Sequence, residues 1–418
     1  MIVYKFGGAS VKNANAVKNL VPIIRLAQKP LVIVVSAMGK TTNRLEAILT
    51  ESRKPEGDPN GLLAELMNDH LILLKTLFSD ETAQVYSDVK DIFEAVSDSF
   101  NNHSGEDYNF LYDQVIACGE LVSSRIVSAW MGDMGIENKW IDVRKVLKTD
   151  STYREAIIDQ TASASKSREI FDFNASTCFV TQGFIGSDEK GYTTTLGREG
   201  SDYTAALLAN FLDAEAVTLW KDVDGIYNAD PAIFKDVQQV SALNYEEVIE
   251  LTYYGAKVIH PKTIKPLAEK NIPLFVKSFN NTSAPGTLVG RPNGNEKQLP
   301  FIIVLENQIL ISISKKDLSF VSEINLRHLF DLLHNFRIKV NLMQHSAVSF
   351  SVCVDEPKGR DVKDLVAQLS QEFKVLYNTG LQLITVRNYS EKLISELIDD
   401  QKVLVEQRSR HTVQFVLS

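Results

Sequence analysis

Cysteine is scarce in this sequence, with only three residues of this type among 418. Cys118, Cys178 and Cys353 lie far apart in the chain, and each is surrounded by apolar residues. An odd number of widely separated cysteines excludes a disulfide framework and the close ligand spacing of a zinc site. The sequence therefore predicts three buried free thiols in a reducing compartment.

Clustered positive charge and long apolar runs are also missing. The formal net charge is −9, whereas a nucleic-acid-binding surface needs an excess of basic residues. No apolar run approaches the length of a membrane span, and the first residues resemble a strand rather than a signal peptide. We therefore expect a cytoplasmic protein that binds neither nucleic acid nor membranes. A length of 418 residues predicts two or three domains.

The first residues combine a short strand with a lysine and two glycines. Residues 1–11 read MIVYKFGGASV, and a stretch of helical spacing follows. Glycine lets the backbone approach an anion closely, and Lys5 adds a positive charge at the same place. An anion cradle at Gly7 and Gly8 and an ordinary tight turn after a buried strand explain this stretch about equally well. A Walker loop is excluded, because its pattern G-x-x-x-x-G-K-[ST] does not occur.

A second strand is followed by small and hydroxyl residues. Residues 31–35 read LVIVV, a run typical of a strand buried on both faces of a parallel sheet, and residues 36–43 read SAMGKTTN. The order strand, helix, strand indicates a βαβ unit. Ligands of such sheets bind beyond the carboxyl ends of the strands. We therefore expect the turn at Gly7 and Gly8 and the loop 36–43 to line one crevice.

Glu120 is an acidic residue within an apolar stretch. Residues 118–121 read CGEL, and Leu111, Val115 and Val122 have helical spacing around them. A buried glutamate needs a partner, because an unpaired buried charge is costly. The residues alone leave two interpretations open, a structural ion pair or a carboxylate held for the ammonium group of a ligand.

Residues 197–202 read GREGSD and form the second stretch rich in functional side chains. Arg198 offers a planar fork suited to a carboxylate or a phosphate. Ser201 is expected to cap a helix that begins at Tyr203. Asp202 would then lie near the positive end of that helix, which is the simplest explanation for an acid there.

An acidic loop follows a predicted strand at 216–220. Residues 221–231 read KDVDGIYNADP, and their acids lack the spacing of an EF-hand, so calcium is not expected. A helix is predicted over 241–254, and GAKVIHP at 255–261 interrupts it. Clusters of Ser, Pro, Gly and Asn predict a linker at 280–295.

The sequence pattern changes beyond residue 300. Short strands, with separate ones at 374–377 and 381–386, alternate with helical segments in the order β-α-β-β-α-β, which is typical of ferredoxin-like units. Two full units need four helices, but the pattern predicts three. We therefore expect two domains, at 1–290 and 300–418, the second containing one complete unit and a shortened one.

Several stretches together resemble the aspartate kinases of the amino acid kinase family. Residues 5–11 resemble the family's K-F-G-G-T-S-V opening, and residues 197–205, GREGSDYTA, resemble its G-R-G-G-S-D-Y-T-A. The resemblance covers residues 1 to about 290, and the rest resembles the family's paired ACT regulatory domains. Further matches follow in family order at 36–43, 119–121, 222–231 and 255–261.

The resemblance implies an α/β fold, a mostly parallel sheet sandwiched by helices, followed by ferredoxin-like α+β ACT domains. It implies transfer of the ATP γ-phosphoryl group to the side-chain carboxylate of L-aspartate, which gives 4-phospho-L-aspartate. This is the first step of lysine, threonine and methionine biosynthesis. The implied cofactors are ATP and Mg²⁺, with the ion held mainly through the phosphates and no residue assigned as a metal ligand.

The resemblance also implies roles for individual residues. The expected catalytic residues, which neutralise and orient the phosphoryl group, are Lys5, Gly7, Gly8 and Asp202. The expected aspartate pocket consists of Thr42, Glu120, Phe184, Arg198 and Ser201. Within it, Arg198 would bind the α-carboxylate and Glu120 the α-ammonium group. The residues expected to hold the nucleotide are Ser10, Ser36, Lys221, Asp222, Tyr227 and Lys257.

Four residues depart from the family pattern. Ala9 replaces a usual Thr, and Glu199 replaces a usual Gly. Lys221 replaces a residue that is commonly Thr or Ser, and Ala232 stands where an Arg often follows Asp-Pro. The first two lie close to the chemistry, so we expect them to affect substrate affinity more than reaction type. The last two are expected to affect only the nucleotide pocket.

Two alternative functions stay open at this point. A kinase of the same fold could act on glutamate, carbamate or a nucleoside monophosphate, because fold does not determine substrate. The combination of Glu120 with Arg198 favours an amino acid over a nucleotide as the substrate. A catalytically inactive amino-acid-binding regulator is the other alternative, and the presence of Lys5, Arg198 and Asp202 speaks against it.

The ACT-type region is expected to mediate homo-oligomerisation and to offer an effector site for lysine or threonine. Residues 339–348 match the effector segment, in which lysine-inhibited relatives tend to carry Asp at the position of Asn341 and Glu at that of Ala347. Lysine brings two ammonium groups, which need carboxylates when they are buried. The neutral residues therefore predict that lysine inhibits weakly or not at all.

Overall fold

The computed structural model describes residues 1–103, 105–256, 259–291, 299–317, 319–320, 322–356, 362–398 and 401–418. The chain divides into two compact units. The first unit comprises Met1–Ile226, Gln239–Ile249 and Val258–Asn295. The second unit comprises Tyr227–Gln238, Glu250–Lys257 and Glu296–Ser418. Within the described ranges, no helix combines the length and hydropathy that a bilayer crossing requires.

In its described residues, the first unit is built on a mostly parallel sheet of eight strands. These strands are β1 (Ile2–Phe6), β2 (Leu31–Val35), β3 (Lys139–Ile141), β4 (Cys178–Gln182), β7 (Ala216–Lys221), β8 (Ala242–Asn244), β9 (Leu274–Ser278) and β10 (Thr287–Gly290). Their order is β3-β4-β2-β1-β7-β9-β10-β8, and only β9 and β10 pair antiparallel. A separate hairpin contains β5 (Ile185–Ser187) and β6 (Thr193–Thr195). The predicted linker at 280–295 was therefore wrong for Thr287–Gly290, which forms β10.

The central strands of this sheet are buried on both faces. All five residues of β2 are buried, as its continuous apolar run predicts. In β1, Tyr4 and Phe6 belong to the largest apolar core, whereas Val3 and Lys5 alternate with them and are buried on the opposite face. Helices therefore have to cover both faces of the sheet, and this places Lys5 beneath one of them.

The helices that the structure describes before residue 300 lie mostly in the first unit. They are α1 (Ala14–Arg25), α2 (Thr41–Glu51), α3 (Pro59–Leu77), α4 (Gln84–Asn102), α5 (Tyr108–Asp133), α6 (Gln160–Ile170), α7 (Gly200–Phe211), α8 (Tyr245–Tyr253) and α9 (Pro261–Lys270). Short 3-10 turns lie at Gly8–Val11 and Val143–Lys145. Helices α1 to α5 contribute to the largest core, and α7 packs against β1 and β2.

Within the residues that the structure describes, the second unit contains an antiparallel sheet of six strands. These are β11 (Phe301–Lys315), β12 (Val340–His345), β13 (Ser349–Asp355), β14 (Phe373–Arg387), β15 (Val403–Arg408) and β16 (Thr412–Leu417), in the order β12-β13-β11-β14-β16-β15. The helices that the structure describes here are α10 (Glu323–Asn335), α11 (Val362–Glu372) and α12 (Glu391–Leu397). Ile309 and Ile311 of β11 pack with α10 and α11, whereas Ile384 of β14 packs with α12.

The three cysteines behave as their surroundings predict. Cys118, Cys178 and Cys353 are all buried and free. Burial raises the pKa of the Cys178 and Cys353 thiols to about 12 and that of Cys118 further. None of the three is therefore a reactive thiolate at neutral pH.

Candidate active site

The carboxyl ends of four neighbouring strands lie side by side at one edge of the parallel sheet. Phe6 at the end of β1 lies opposite Val35 of β2 and Trp220 of β7. Val35 in turn lies opposite Gln182 of β4. The loops that follow these strands therefore begin at the same level, where ligands of open parallel sheets bind.

The turn after β1 contacts the loop after β2, as the sequence predicts. The N–H of Gly39 donates a 3.1 Å hydrogen bond to the carbonyl of Gly8. A Cβ atom at Gly8 would lie only 2.9 Å from the carbonyl oxygen of Ala37, so this approach requires a glycine. The two loops consequently form one continuous wall of the crevice.

The two serines predicted to hold the nucleotide occupy different positions in this wall. Ser10 is buried, and its hydroxyl donates a 3.1 Å hydrogen bond to the carbonyl of Trp220. Ser36 is half-buried, and its N–H donates to the carbonyl of Phe6 at 3.1 Å. The Ser10 hydroxyl is thus committed to fixing the end of β7 beside the glycine turn.

Three charged residues meet at this edge of the sheet. The Lys5 ammonium nitrogen lies 2.5 Å from Oδ1 of Asp202, and that of Lys221 lies 3.4 Å from Oδ2. Asp202 is buried on α7, Lys5 is buried on β1, and Lys221 ends β7. One carboxylate therefore holds two ammonium groups.

The cluster favours the ionised forms of Asp202 and Lys221. Burial raises the pKa of Asp202, but Lys5 and Lys221 outweigh burial and hold that pKa at about 2. Burial lowers the pKa of Lys221, but the negative charges of Asp202 and Glu199 outweigh burial, so this pKa lies above its ordinary value. Asp202 and Lys221 therefore stay ionised at physiological pH.

The helix that carries Asp202 begins earlier than predicted. α7 starts at Gly200, and Glu199 precedes it with a left-handed backbone, φ 54°. The N–H of Asp202 donates to the carbonyl of Glu199 at 3.1 Å. The prediction that Ser201 is the N-cap was therefore wrong, because this hydrogen bond already extends the helix around it. The Glu199 carboxylate accepts a 2.9 Å hydrogen bond from the N–H of His260, at the start of α9.

Two predicted aspartate-pocket residues, Phe184 and Ser201, lie together at this point. A Cβ atom at Gly183, which follows β4, would lie 2.4 Å from Cβ of Ser201, so the strand end packs directly against the first turn of α7. Phe184 has a left-handed backbone, φ 73°, and its N–H donates to the hydroxyl of Thr204 at 3.0 Å. This hydrogen bond fixes an unfavourable backbone conformation next to the charged cluster.

Glu120 is buried on α5, beside the loop after β2. Its Oε1 accepts a 3.3 Å hydrogen bond from the N–H of Ala37, and its Oε2 has no hydrogen-bond partner among the described residues. Gly119 permits this packing, because a Cβ atom there would lie 2.9 Å from Cβ of Ala37. Burial raises the pKa of Glu120 to about 8, although the Ala37 N–H and the charge of Lys5 oppose the shift. A buried oxygen without a partner favours a role toward a ligand over a structural ion pair.

The remaining predicted residues have the following positions. Thr42 is half-buried in the first turn of α2, and Arg198 is exposed in the turn before α7. Asp222 is exposed directly after β7. Tyr227 belongs to the second unit, and Lys257 lies outside the described residues, so both roles stay predictions.

Sequence reasoning missed two features of this site. It assigned Lys221 to the nucleotide but did not pair it with Asp202, although a lysine directly after a strand was a usable signal. It also missed the hydrogen bond between Glu199 and the backbone of His260. That contact joins residues 61 positions apart, and no local sequence pattern indicates it.

Comparison with known proteins finds relatives over most of the chain. The profile of the amino acid kinase family matches residues 1–278. The lysine-sensitive aspartokinase 3 of Escherichia coli (strain K12) is 31% identical over 402 residues, which are 92% of this chain and 86% of that protein. The bifunctional aspartokinase/homoserine dehydrogenase 2 of Arabidopsis thaliana is 27% identical over 392 residues, and the chain spans 42% of its length.

Two solved structures of E. coli aspartokinase III share the fold. The complex with lysine and aspartate, in the T-state, has a TM-score of 0.84 at 29% identity and covers 100% of this chain and 95% of that chain. The complex with aspartate and ADP, in the R-state, has a TM-score of 0.81 at 28% identity, with coverages of 100% and 96%. The predicted fold class is confirmed by this likeness and by the two sheets. The chain belongs to the amino acid kinase family and, within it, to the aspartokinases.

Proposed function

We propose that the chain is an ATP-dependent aspartate kinase. It transfers the γ-phosphoryl group of ATP to the side-chain carboxylate of L-aspartate, the first step of lysine, threonine and methionine biosynthesis. The observation that carries this proposal is the pair of lysines, Lys5 and Lys221, that Asp202 holds at the carboxyl edge of the sheet. A relative that was solved with aspartate and ADP supports the choice of substrates.

The reaction brings two anions together. A carboxylate oxygen of aspartate forms a bond to the γ-phosphorus while the bond from that phosphorus to the bridging oxygen of ADP breaks. The electron pair of the broken bond leaves with ADP. Because the attacking oxygen is already ionised, the reaction needs no general base. Catalysis therefore depends on orienting the two anions and neutralising their charge.

Lys5 and the glycine turn are suited to this task. The Lys5 ammonium group is buried, so its field is screened less than it would be in water. A Cβ atom at Gly7 would lie 3.6 Å from Nζ of Lys5, so glycine keeps the approach to that ammonium open. In this proposal Lys5 and the N–H groups of Gly7 and Gly8 bind the transferring phosphoryl group, and Asp202 keeps Lys5 oriented.

Mg²⁺ enters this site with ATP, as part of the nucleotide substrate. Among the residues that the structure describes, no group of three or more His, Cys, Asp or Glu side chains is placed to hold a metal ion. Both oxygens of Asp202 face lysines. The phosphate oxygens, which Mg²⁺ prefers together with water, therefore supply most of its ligands.

The aspartate substrate needs a cation for its α-carboxylate and an anion for its ammonium group. Arg198 supplies a planar fork on an exposed turn, and Glu120 supplies a buried oxygen that has no partner in the described part of the chain. Thr42, Phe184 and Ser201 complete the pocket in this proposal. Phe184 and Ser201 already lie together at the end of β4.

In this proposal, residues at the carboxyl ends of β7 and β2 bind the nucleotide. Lys221 ends β7, Asp222 follows it, and Ser36 follows β2, so all three stand at the carboxyl edge of the sheet. Ser10 contributes by fixing the end of β7. Tyr227 and Lys257 complete the predicted nucleotide set.

One experiment separates the candidate functions. The purified protein is incubated with ATP and Mg²⁺, and ADP release is measured with L-aspartate, L-glutamate, carbamate or UMP as the acceptor. We expect release that depends on aspartate and is weak or absent with the other three. Turnover with another acceptor only would identify a different kinase of this family. No turnover with any acceptor, together with measurable aspartate binding, would identify an inactive regulator.

Replacing Arg198 by lysine is expected to raise KM for aspartate by about tenfold, since lysine keeps the charge but loses the bidentate fork. The change in kcat should be smaller, because the fork binds ground state and transition state alike. Steady-state kinetics at saturating ATP measures both constants, with Arg327→Lys on α10 as the control. A rise in KM for ATP without a rise in KM for aspartate would place Arg198 at the nucleotide.

The second unit is proposed to be a pair of ACT-type domains that bind an amino-acid effector and link subunits. In the segment 339–348, the Asn341 side chain donates hydrogen bonds to Oε1 of Gln308 at 2.9 Å and to Oδ1 of Asp355 at 2.7 Å. Gln308 also donates to Oδ1 of Asp355 at 2.9 Å. Two neutral amides thus already occupy this carboxylate oxygen, which weakens it as a partner for an ammonium group.

Lysine is therefore expected to inhibit weakly or not at all at about 1 mM, although the E. coli relative is named lysine-sensitive. The test titrates lysine and threonine separately at subsaturating aspartate. Asn341→Asp should increase inhibition by lysine, and Asn378→Asp on β14 serves as the matched control. Half-inhibition of the unaltered protein by lysine below about 1 mM would contradict this prediction. Asp355 would then be the first carboxylate to replace.

A further inference from the structure

Lys221 holds an unusual position for a residue assigned to nucleotide affinity. It follows Trp220, which lies opposite Phe6 in the register of β7 and β1, so Lys221 stands level with Gly7. The glycine turn that starts at Gly7 is where the transferring phosphoryl group is proposed to bind. Lys221 therefore lies beside the reacting end of the nucleotide and not at a remote part of it.

Lys221 shares its counter-ion with Lys5. The two ammonium groups face different oxygens of Asp202, at 3.4 Å and 2.5 Å. One carboxylate therefore positions both ammonium groups, each at its own oxygen. The Lys221 side chain is 28% exposed, against 11% for Lys5, so it is the more accessible of the two to an incoming ligand.

Two residues that depart from the family pattern, Lys221 and Glu199, contact Asp202. Lys221 adds a positive charge where the family commonly has Thr or Ser, and Glu199 adds a negative charge where it usually has Gly. The Glu199 carboxylate is held by the N–H of His260 at 2.9 Å, and its carbonyl accepts the N–H of Asp202. The extra cation therefore comes with an extra anion that is fixed at the start of the same helix.

We infer that Lys221 is a second catalytic lysine, which contacts the γ-phosphoryl oxygens during transfer while Asp202 orients it together with Lys5. The inference rests on the proposed kinase function and adds a residue to its reacting centre. As the phosphorus moves from the bridging oxygen of ADP to the aspartate carboxylate, Lys221 neutralises part of the charge on its oxygens and exchanges no proton. Removing such a contact lowers kcat, whereas removing an affinity contact raises KM for ATP.

The first test compares Lys221→Thr with the unaltered protein. We expect kcat to fall by about thirtyfold or more while KM for ATP changes by less than about threefold. Lys139→Thr, at the far edge of the sheet on β3, is the control and should leave both constants unchanged. A retained kcat with a raised KM for ATP would overturn the inference and leave Lys221 as an affinity residue.

The second test restores the positive charge at position 221 chemically. It compares one variant before and after treatment, so a difference in folding between two proteins does not affect the result. Lys221→Cys is treated with 2-bromoethylamine, which attaches an ammonium group through the new thiol. Cys118, Cys178 and Cys353 are buried and protonated, so the reagent should spare them. We expect alkylation to raise kcat by about tenfold or more over the untreated variant. No increase, despite complete alkylation confirmed by mass spectrometry, would overturn the inference.

The same measurements distinguish this inference from the proposed function. If the unaltered protein shows no ADP release that depends on aspartate, the kinase assignment fails, and the inference fails with it. If the unaltered protein turns over and Lys221→Thr keeps its kcat, only the inference fails.

Discussion

Lys5→Ala is expected to lower kcat by several hundredfold or more, a loss of about 3–4 kcal/mol of transition-state stabilisation. Lys5 is the buried cation of the glycine turn, and its ammonium nitrogen lies 2.5 Å from Asp202. The fold should survive, because Asp202 keeps Lys221 as its counter-ion. The measurement is kcat at saturating ATP and aspartate, with circular dichroism and Tm as checks of the fold.

Lys139→Ala on β3 is the matched control for this substitution. It removes a lysine from the same sheet, but from the edge strand β3 instead of the central strand β1, and kcat should not change. A Lys5→Ala variant that is folded and keeps more than a tenth of the kcat of the unaltered protein would contradict the proposed role of Lys5.

Glu120→Gln is expected to raise KM for aspartate by on the order of a hundredfold at pH 8.5, since a buried charge-assisted hydrogen bond contributes about 2–3 kcal/mol. Glutamine has nearly the shape of glutamate, so the packing of Gly119 against Ala37 is preserved. The variant cannot carry a negative charge, and its amide nitrogen offers no acceptor to an ammonium group.

The pH dependence of KM provides the control for this prediction. Burial raises the pKa of Glu120 to about 8, so below that pH the free protein holds a neutral carboxyl. Binding of the aspartate ammonium group then has to expel the proton. KM for aspartate in the unaltered protein should therefore fall about tenfold per unit as the pH rises toward 8 and level off above it. Glu120→Gln should lack this dependence, and the same slope in both proteins would contradict the assignment.

The parts of the fold that could be predicted from the sequence are those that local residue patterns determine. The run of five apolar residues in β2 identifies a strand buried on both faces, and the structure places it beside β1. Lys5 and the glycines after β1 could be placed at the carboxyl edge for the same reason. A strand followed directly by a turn leaves little freedom in where the next residues lie.

Long-range pairing explains where the sequence prediction was wrong. Residues 241–254 have helical spacing, yet Ala242–Asn244 forms β8 because β10 pairs with it in parallel. Only Tyr245–Tyr253 of that stretch is helical. This pairing joins strands that are distant in the chain, so the local helix or strand propensity of residues 241–254 could not reveal it.

In the active-site cluster, too, local patterns identified single residues but not their long-range pairing. Asp202 and Lys221 could each be singled out from their neighbours in the sequence, but their pairing depends on how α7 packs beside β7. The early start of α7 could not be seen either, because a left-handed Glu199 is an exception to the preference for glycine. Sequence reasoning chose Ser201 as the cap because serine is common at that position.

The two long strands of the second unit, β11 and β14, determine how that unit unfolds. Separate strands were predicted at 374–377 and 381–386, but β14 is continuous through both and pairs with β11 along nearly its whole length. Each of these strands contributes to the packing of α10 and α11 at one end and of α12 at the other. The two halves therefore share their central hydrogen bonds, and neither can open alone. In hydrogen exchange, the amides of Ile311 and Ile384 should be released together in a single cooperative unfolding event.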